Sequence, residues 1–444
     1  MLSDSSASST SGIANNETSF SSAFANFSSG EIFDQNSKRR SRLAVGEELK
    51  NHIMEIDPNE CLAGEEDSFF VCDLGEVVRL YRNWKLKLPR VQPFYAIKCN
   101  NDSKVLTLLD KLGCNFDCAS KGEIDKILKM GISPEKIVYA NPCKSNSFIR
   151  YSKQVDVNLT TFDNFDELYK IKKLHPNCKL LLRIATNDQM AQCPLSIKFG
   201  SRNFETSVEL MKLCKSLDLN LVGVAFHVGS GFSDLDSLRQ AIKDSKELFV
   251  YAKSHLGIDM NILDIGGGFT LETFEESSSV ANESLDENFP ENLYPNLKII
   301  AEPGRYMVSS AFTLACHIIA RRGITNEKEN TEKAVMLYLN DGLYGNLNCI
   351  LYDHQKPVAR ILTRDGEFLY YKEYENSLTK RYPASIWGPT CDGLDCISEK
   401  TYLSHLLNVG DWMFFDNIGA YTSVASTSFN GFTQTASVKY VCSE

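Results

Sequence analysis

The sequence lacks the features that mark secreted, membrane-spanning and zinc-binding proteins. Its 14 cysteines include no C-x-x-C pair and no signal peptide is recognisable, so we expect free thiols in a reducing, cytoplasmic compartment. No apolar run approaches the roughly 20 residues that span a bilayer, so no membrane partner is expected. The seven histidines show no metal-ligand spacing, which predicts no metal site.

Positive charge is also scarce. Lysine and arginine number 47 against 57 aspartate and glutamate residues, which gives a formal net charge of −10. No basic stripe with interleaved aromatic residues offsets this balance, so nucleic acid is not expected as a partner. With 444 residues, of which 43% are hydrophobic, the chain is long enough to form more than one domain.

The first 42 residues show no hydrophobic period and contain no lysine or arginine before Lys38. They are rich in Ser, Asn and Thr, which is typical of disordered segments, and they do not resemble an arginine-rich mitochondrial presequence. We interpret the basic cluster at 38–42 as a solvated charge run, with a localisation signal as the alternative. The sequence therefore predicts a disordered tail over 1–42.

Short apolar strands alternate with helix-period segments from residue 93 onward, and several of the helical segments are closed by glycine. Eight strands with seven connections predict an α/β fold, a (β/α)8 TIM-like barrel whose sites gather at the carboxyl ends of the strands. A doubly wound sheet is the alternative. The predicted strands are 93–99, 115–119, 137–141, 158–162, 179–185, 221–228, 262–266 and 298–302.

The pattern changes after residue 310 to alternating strands without a helical period, which predicts a second, mainly β domain. An earlier stretch, SFFVCDL at 68–74, is expected to add a strand to it, and an acidic stretch at 271–292 is interpreted as a mobile surface insertion. The β segments are predicted at 312–319, 333–340, 348–354, 358–364, 369–375 and 411–417. The expected domains are the tail 1–42, an N-terminal segment 43–80 that contributes to the β domain, the barrel 81–309 and the β domain 310–444.

Two glycine-containing motifs fall at the ends of predicted strands seven and eight. They are GGGF at 266–269 and EPGRY at 302–306. Barrels commonly bind phosphate there, since backbone N–H groups approach an anion closely where no side chain intervenes, and Arg305 adds a fixed positive charge. Each motif taken alone is equally consistent with a simple turn.

Lys98 stands in the otherwise uncharged run PFYAIKCN, at the end of the first predicted barrel strand. A lysine extending from a strand edge is the alternative to a functional role. Our hypothesis is a lysine whose pKa falls on burial, so that the neutral amine attacks an aldehyde. Together with a phosphate site this indicates pyridoxal 5′-phosphate, and Glu302 is the candidate partner of its pyridine nitrogen.

Ten short motifs stand in one order along the chain: PFYAIKCN, FDCAS, YANPCK, LRIAT, FHVGSG, DIGGGF, AEPGRY, NCILYDH, GPTCDGLD and GAYT. Through this set the chain resembles the eukaryotic ornithine decarboxylases, of the alanine-racemase-like barrel type, over residues 45 to 440. The resemblance implies that Lys98 binds pyridoxal phosphate covalently, that His227 stacks on its ring and that Glu302 pairs with its nitrogen. The other implied cofactor-binding residues are Asp117, Arg183, Ser230, Gly266, Gly267, Gly268, Pro303, Gly304, Arg305 and Tyr421.

The substrate end is expected in the β domain, where carboxylates suit a distal ammonium group. YDH and CDGLD supply Asp353, Asp392 and Asp395, with a strand end and an Asp-Gly turn as the alternatives. The resemblance implies that Asp353 and Asp392, with Tyr352, bind the substrate. It also implies that Cys391 returns a proton after carbon dioxide leaves, against the alternative of a structural thiol.

The resemblance further implies decarboxylation of L-ornithine to putrescine, the first step of polyamine biosynthesis, by a homodimer with shared active sites. Family members place Cys391 and Asp392 in the opposite subunit's site. Three alternatives stay open: a lysine, arginine or diaminopimelate decarboxylase, a non-catalytic homologue that binds the inhibitory protein antizyme, and regulation of the enzyme itself by antizyme. The two aspartates favour a terminal ammonium group over a second carboxylate, without fixing the chain length.

Overall fold

Eight parallel strands close into a barrel in the computed structural model of this chain, which describes residues 32–57, 60–187, 195–231, 235–326, 331–372, 381–432 and 436–444. The barrel strands are β2 (Val91–Ala96), β3 (Asn115–Cys118), β4 (Ile137–Tyr139), β5 (Leu159–Phe162), β6 (Lys179–Arg183), β7 (Asn220–Ala225), β8 (Ile262–Asp264) and β9 (Lys298–Ala301), preceded in the chain by β1 (Phe69–Asp73). The ring closes where Val91 pairs with Ile299. The predicted α/β barrel is thus confirmed.

Helices connect these strands, and seven of them, α1 to α7, begin at side chains that accept hydrogen bonds from the first turn. Asp102, for example, accepts from the N–H groups of Lys104 at 2.9 Å and Val105 at 3.0 Å, which satisfies donors that a helix start leaves unpaired. The helices are α1 (Gln35–Glu55), α2 (Leu74–Lys87), α3 (Ser103–Lys111), α4 (Lys121–Lys129), α5 (Asn146–Gln154), α6 (Phe165–Leu174), α7 (Phe204–Ser216), α8 (Leu235–Tyr251), α9 (Phe274–Asn288), α10 (Arg305–Val308) and α11 (Cys349–Tyr352).

The barrel interior is filled by side chains, because alternate residues of each strand point inward. These inward residues form a small apolar cluster of their own, while a larger cluster lies between the strands and the surrounding helices. Phe94, Val138, Leu181, Val222, Ala225 and Ile300 make up the inner cluster. The barrel is therefore a solid core, and chemistry is confined to its rim.

The second domain is an open, mainly β sheet, as predicted. Its strands are β10 (Phe312–Asn326), β11 (Thr331–Leu339), β12 (Arg360–Ile361), β15 (Tyr382–Trp387), β16 (Cys396–Leu403), β17 (Trp412–Phe415) and β18 (Ser437–Val441), with a small separate hairpin of β13 (Thr363–Arg364) and β14 (Glu367–Phe368). β1 lies antiparallel to β10 and parallel to β18. The early segment therefore adds the expected strand to this sheet.

Two predicted β segments are wrong. The stretch 348–354 contains α11 instead of a strand, since Tyr352 N–H donates to Asn348 O at 2.9 Å within a helical turn. In the stretch 369–375, residues 369–372 form no strand, and the remainder lies outside the described residues. Both segments have apolar and aromatic side chains that pack on the sheet without joining it.

The predicted disorder over 1–42 is wrong for residues 35–42, while residues 1–31 lie outside the part of the chain that is described. Helix α1 starts at Gln35, and its basic side chains contact the β domain. Arg40 Nε donates to the carbonyl of Ser443 at 3.3 Å, and the Arg42 guanidinium lies 4.3 Å from the centre of the Tyr371 ring. The basic cluster thus helps to dock a helix.

The acidic stretch 271–292 is also not a mobile insertion. It forms α9, the barrel helix between β8 and β9, and Phe274 stacks on Trp84 of α2 with ring centres 5.4 Å apart. Its acidic residues face outward, where Asp286 pairs with Arg90 at 2.6 Å. The helix is apolar on its inner face, but the many acidic residues of the stretch obscure this pattern in the sequence.

Candidate active site

Lys98 and Asp117 meet at the carboxyl ends of two neighbouring barrel strands. Ala96 pairs with Asp117 across β2 and β3, and Lys98 follows two residues later. The Lys98 amine forms an ion pair with Oδ2 of Asp117, whose side chain is fully buried. The lysine lies at the barrel mouth, as predicted, and is already engaged by a carboxylate.

The electrostatics of Lys98 differ from the prediction. Burial acts to lower the pKa of Lys98, but Asp117 and Glu302 outweigh it and raise that pKa above its ordinary value. The prediction of a lowered pKa is wrong for this arrangement, because it counted burial and not the carboxylates beside the amine. Burial also raises the pKa of Asp117, in opposition to Lys98.

Glu302 and Asp264 form a buried acidic pair at the ends of β9 and β8. Burial raises the pKa of Asp264 to about 7, although hydrogen bonds from Gly266 and Glu302 act in the other direction. Burial, Asp264 and Asp117 together raise the pKa of Glu302 well above its ordinary value. Asp264 is not among the predicted site residues, although it opens the motif DIGGGF and ends a barrel strand, which is where site residues gather.

His227 follows β7 and presents a neutral ring to the cavity. Its Nδ1 accepts the N–H of Gly229 at 3.0 Å, so Nε2 carries the ring proton. Burial, Arg183 and Lys98 hold the pKa of His227 well below its ordinary value. Arg183, the last residue of β6, stacks over the Phe199 ring at 5.1 Å and acts on the buried carboxyl groups electrostatically.

The glycine motif forms a tight backbone cradle. Gly266 adopts φ +66°, and a Cβ at this position would lie 2.1 Å from the carbonyl oxygen of Phe226. A Cβ on Gly267 would lie 2.5 Å from the carbonyl oxygen of Glu302 and 2.9 Å from Nε2 of His227. Only glycine fits these positions, and the Gly266 N–H donates to Asp264 Oδ1 at 2.9 Å, which fixes the turn.

Arg305 supplies positive charge beside this cradle. Its guanidinium forms an ion pair with Asp353, yet Nε is buried without a hydrogen-bond partner among the described residues. Tyr421 has a left-handed backbone, φ +54°, and the centre of its ring lies 5.3 Å from the Arg305 guanidinium carbon. One cavity joins these groups, and it is lined by Ala96, Lys98, His227, Ser230, Gly268, Phe269, Glu302, Gly304, Arg305 and Tyr421. Pro303 lies beneath its rim, where its carbonyl accepts the N–H of Ala96 at 3.1 Å.

The predicted proton donor, Cys391, and one predicted substrate-binding carboxylate, Asp392, do not line the Lys98 cavity. Cys391 is exposed in the loop between β15 and β16, and its N–H donates to Asn430 Oδ1 at 3.1 Å. Asp392 accepts a hydrogen bond from the hydroxyl of Tyr344, whose ring stacks on Phe429 at 4.4 Å. No contact among the described residues joins this loop to Lys98.

The remaining substrate-side residues divide into two kinds. Asp353 is buried and reaches the cavity through its ion pair with Arg305, whereas Tyr352 is exposed at the end of α11. Asp395 is buried in the loop, where it accepts from Leu343 N–H at 2.7 Å and from the hydroxyl of Thr390 at 2.7 Å. Asp395 therefore shapes the loop and has no free oxygen to offer a ligand.

Comparison with known proteins identifies the family. Residues 74–309 match the family model described as pyridoxal-dependent decarboxylase, pyridoxal binding domain. The chain is 53% identical to ornithine decarboxylase of Saccharomyces cerevisiae, over 89% of this chain and 85% of that protein. The chain belongs to the pyridoxal-dependent decarboxylases.

Other members of the family support the same assignment. Antizyme inhibitor 2 of Xenopus laevis is 45% identical, over 87% of this chain and 84% of that protein. The crystal structure of the Paramecium bursaria Chlorella virus arginine decarboxylase bound to agmatine superposes with a TM-score of 0.79 at 34% identity, over 89% of this chain and 100% of that one. The family thus contains decarboxylases named for different substrates and also a protein named as an inhibitor.

The residues present fit the cofactor of this family. The orphaned Nε of Arg305 and the glycine cradle suit a phosphate group at one end of the cavity. The Glu302–Asp264 pair suits a cationic ring nitrogen at another, and the Lys98 amine opens on the same cavity. In the part of the chain that is described, no helix is long and apolar enough to cross a membrane.

Proposed function

We propose that this chain catalyses the pyridoxal-phosphate-dependent decarboxylation of L-ornithine to putrescine, the first step of polyamine biosynthesis, in the cytoplasm. The observation that carries the proposal is the position of the Lys98 amine, in one cavity with Glu302, Gly268, Gly304 and Arg305. The 53% identity to a protein named ornithine decarboxylase supports the choice of substrate.

In this proposal Lys98 binds the cofactor covalently, and its phosphate is held by Ser230, Gly266, Gly267, Gly268, Gly304, Arg305 and Tyr421. Pyridoxal phosphate, when bound, supplies an electrophilic carbonyl carbon and a ring that accepts the electron pair left by a departing carboxylate. The protein's part is to bind, orient and move protons. Lys98 must lose a proton before it can act as a nucleophile, and the adjacent Asp117, with its raised pKa, is the candidate acceptor.

The other groups around the cavity balance buried charge and orient the cofactor ring. Glu302, with Asp264 behind it, keeps a proton or a compensating charge at the ring-nitrogen end, and Arg183 offsets the buried negative charge nearby. His227 stays neutral and offers a flat ring against which another ring packs. Because Gly267 lies against Nε2 of His227, the packing surface continues into the cradle without an intervening side chain.

The substrate's distal ammonium group is assigned to Asp353 and Asp392, with Tyr352 beside them, and the proton donor is assigned to the thiol of Cys391. Within the described chain, Cys391 and Asp392 contact the surface around Tyr344 and Asn430 instead of the Lys98 cavity. We therefore propose a homodimer in which this loop completes the partner's site. A monomer would then bind the cofactor without turning over substrate.

Two measurements test the proposed function. The purified chain should gain a visible absorption band with pyridoxal phosphate and form putrescine from ornithine, faster than it forms cadaverine from lysine. The variant Lys98→Ala should lose both, and the matched control Lys111→Ala, an exposed lysine of α3, should keep both. A wild-type chain that binds no cofactor, or equal rates for ornithine and lysine, would contradict the assignment.

A non-catalytic, antizyme-binding protein is the second candidate, because antizyme inhibitor 2 is 45% identical to this chain. Against it, Lys98, His227, Glu302 and Arg305 all line one cavity, and Cys391 and Asp392 are present as well. Antizyme can still be a partner of an active enzyme. Absence of the absorption band together with tight antizyme binding would favour the second candidate.

A further inference from the structure

An ion pair between Arg305 and Asp353 joins the barrel rim to the β domain beside the cavity. Nη2 of Arg305 donates to Oδ2 of Asp353, and the two side chains are 10% and 9% exposed. Arg305 begins α10, shortly after the barrel strand β9, whereas Asp353 follows α11 in the second domain. A charge pair this well shielded from water interacts more strongly than a surface pair.

Under the proposed function, each residue of this ion pair also binds part of a ligand. Arg305 is assigned to the phosphate anion, and Asp353 is assigned to the ammonium cation of the substrate. A guanidinium has five N–H donors, and the buried Nε of Arg305 has no hydrogen-bond partner among the described residues. Arg305 therefore has donor capacity for an incoming anion while it still holds Asp353.

The backbone around Asp353 is fixed by hydrogen bonds at the end of α11. The N–H of Asp353 donates to Cys349 O at 3.1 Å, and the N–H of Gln355 donates to the same oxygen at 3.0 Å. Between them, His354 adopts φ +53°, which locks a sharp turn. While Asp353 stays paired with Arg305, an anion at Arg305 must share the guanidinium with it, and two negative groups that share one cation repel each other.

We propose that the Arg305–Asp353 ion pair couples the two binding events, so that a diamine at Asp353 strengthens binding of the phosphorylated cofactor at Arg305, and the reverse. A cation at Asp353 removes the repulsion and frees the guanidinium for the anion. Linkage requires each ligand to change the affinity of the other by the same factor. This inference rests on the proposed function, because it takes both residues in their assigned tasks.

The test measures an analogue of the cofactor that cannot react with amines. The full chain, freed of cofactor, is titrated by calorimetry with 4-deoxypyridoxine 5′-phosphate, with and without putrescine. We expect saturating putrescine to lower the Kd of the analogue by about fivefold or more. In Asp353→Asn, which keeps the size and removes the charge, the analogue should bind more tightly than in the wild type without putrescine, and putrescine should change its Kd by less than about twofold.

The control is Asp286→Asn, which removes an exposed carboxylate of α9 that pairs with Arg90, and it should couple as the wild type does. A thermal scan shows whether Asp353→Asn folds. If it does not, the wild type still tests the inference, since an unchanged Kd of the analogue at saturating putrescine contradicts it. Equal affinities with and without the second ligand, or an Asp353→Asn variant that couples like the wild type, overturn the inference. An analogue that does not bind the wild type contradicts the proposed function as well, whereas binding without coupling contradicts this inference alone.

Discussion

The Lys98 cavity and the Cys391 loop are built in opposite ways. The cavity is buried, and its groups come from the ends of several barrel strands, which hold one another in place through backbone contacts such as Glu302 N–H to Gly266 O at 2.6 Å. The loop is exposed, and Cys391 and Asp392 contact only nearby residues of the same domain within the described chain. The groups that fit the cofactor thus lie together inside one chain, whereas Cys391 and Asp392 lie apart from them on an exposed loop.

Removal of the Lys98 amine is expected to have the largest effect on turnover. Lys98→Ala should reduce turnover by at least about a thousandfold, because the nucleophile that binds the cofactor is lost. It also leaves the buried Asp117 without its ion-pair partner, so the thermal midpoint is expected to shift. Decarboxylation assays and a thermal scan provide the two readouts. Near-normal turnover in a folded variant would refute the assigned role.

The loop should respond in a different way. Cys391→Ala is expected to lower turnover by about 10²- to 10⁴-fold, or to change the products, and to leave cofactor absorbance intact, because the thiol is exposed and does not line the Lys98 cavity. Mixing this variant with Lys98→Ala should restore about a quarter of wild-type activity if sites are shared, since half of the re-paired dimers are mixed and each has one intact site. No recovery on mixing would argue against sharing.

A methyl group in the cradle tests how rigid the buried side is. Gly267→Ala would place a Cβ 2.5 Å from the carbonyl oxygen of Glu302, so we expect a loss of about 1 to 3 kcal/mol in the free energy of unfolding and weaker cofactor binding. Denaturant unfolding and cofactor titration measure the two effects. Gly131→Ala, at a site with nothing within 4 Å of the added Cβ, is the control for the substitution itself, although its own φ of +80° adds some strain.

The smallest expected effect concerns pH. Asp264 has a pKa raised to about 7, so between about pH 4 and pH 7 the folded chain holds a proton that the unfolded chain has lost. The stability contribution of this group is therefore full below about pH 4 and falls as pH rises through that window. Asp264→Asn mimics the protonated form, so its stability relative to the wild type should rise as the pH increases from 5 to 8. Thermal scans of the cofactor-free chains that stay parallel across this range would contradict the shifted pKa.

Sequence patterns predicted the barrel strands and the residues that lie at the strand ends. The barrel strands, the glycine cradle and the clustering of Lys98, Glu302 and Arg305 follow from period and position, because strand ends in a barrel converge. α9 was missed because its acidic outer face dominates its composition, and part of α1 was missed because its partners lie some 400 residues away in the chain. The pKa of Lys98 was misjudged for a similar reason, since Asp117 and Glu302 reach it only through the closed ring.

The sheet that carries the Cys391 loop also pairs an early strand with a late one. β1, at Phe69–Asp73, lies between β10 and β18, and β18 is formed by Ser437–Val441. During synthesis, the barrel strands will have left the ribosome well before β18 is available, and domains tend to fold as they emerge. The barrel can thus close while the sheet is still missing a strand, so completion of the second domain waits until β18 has been made.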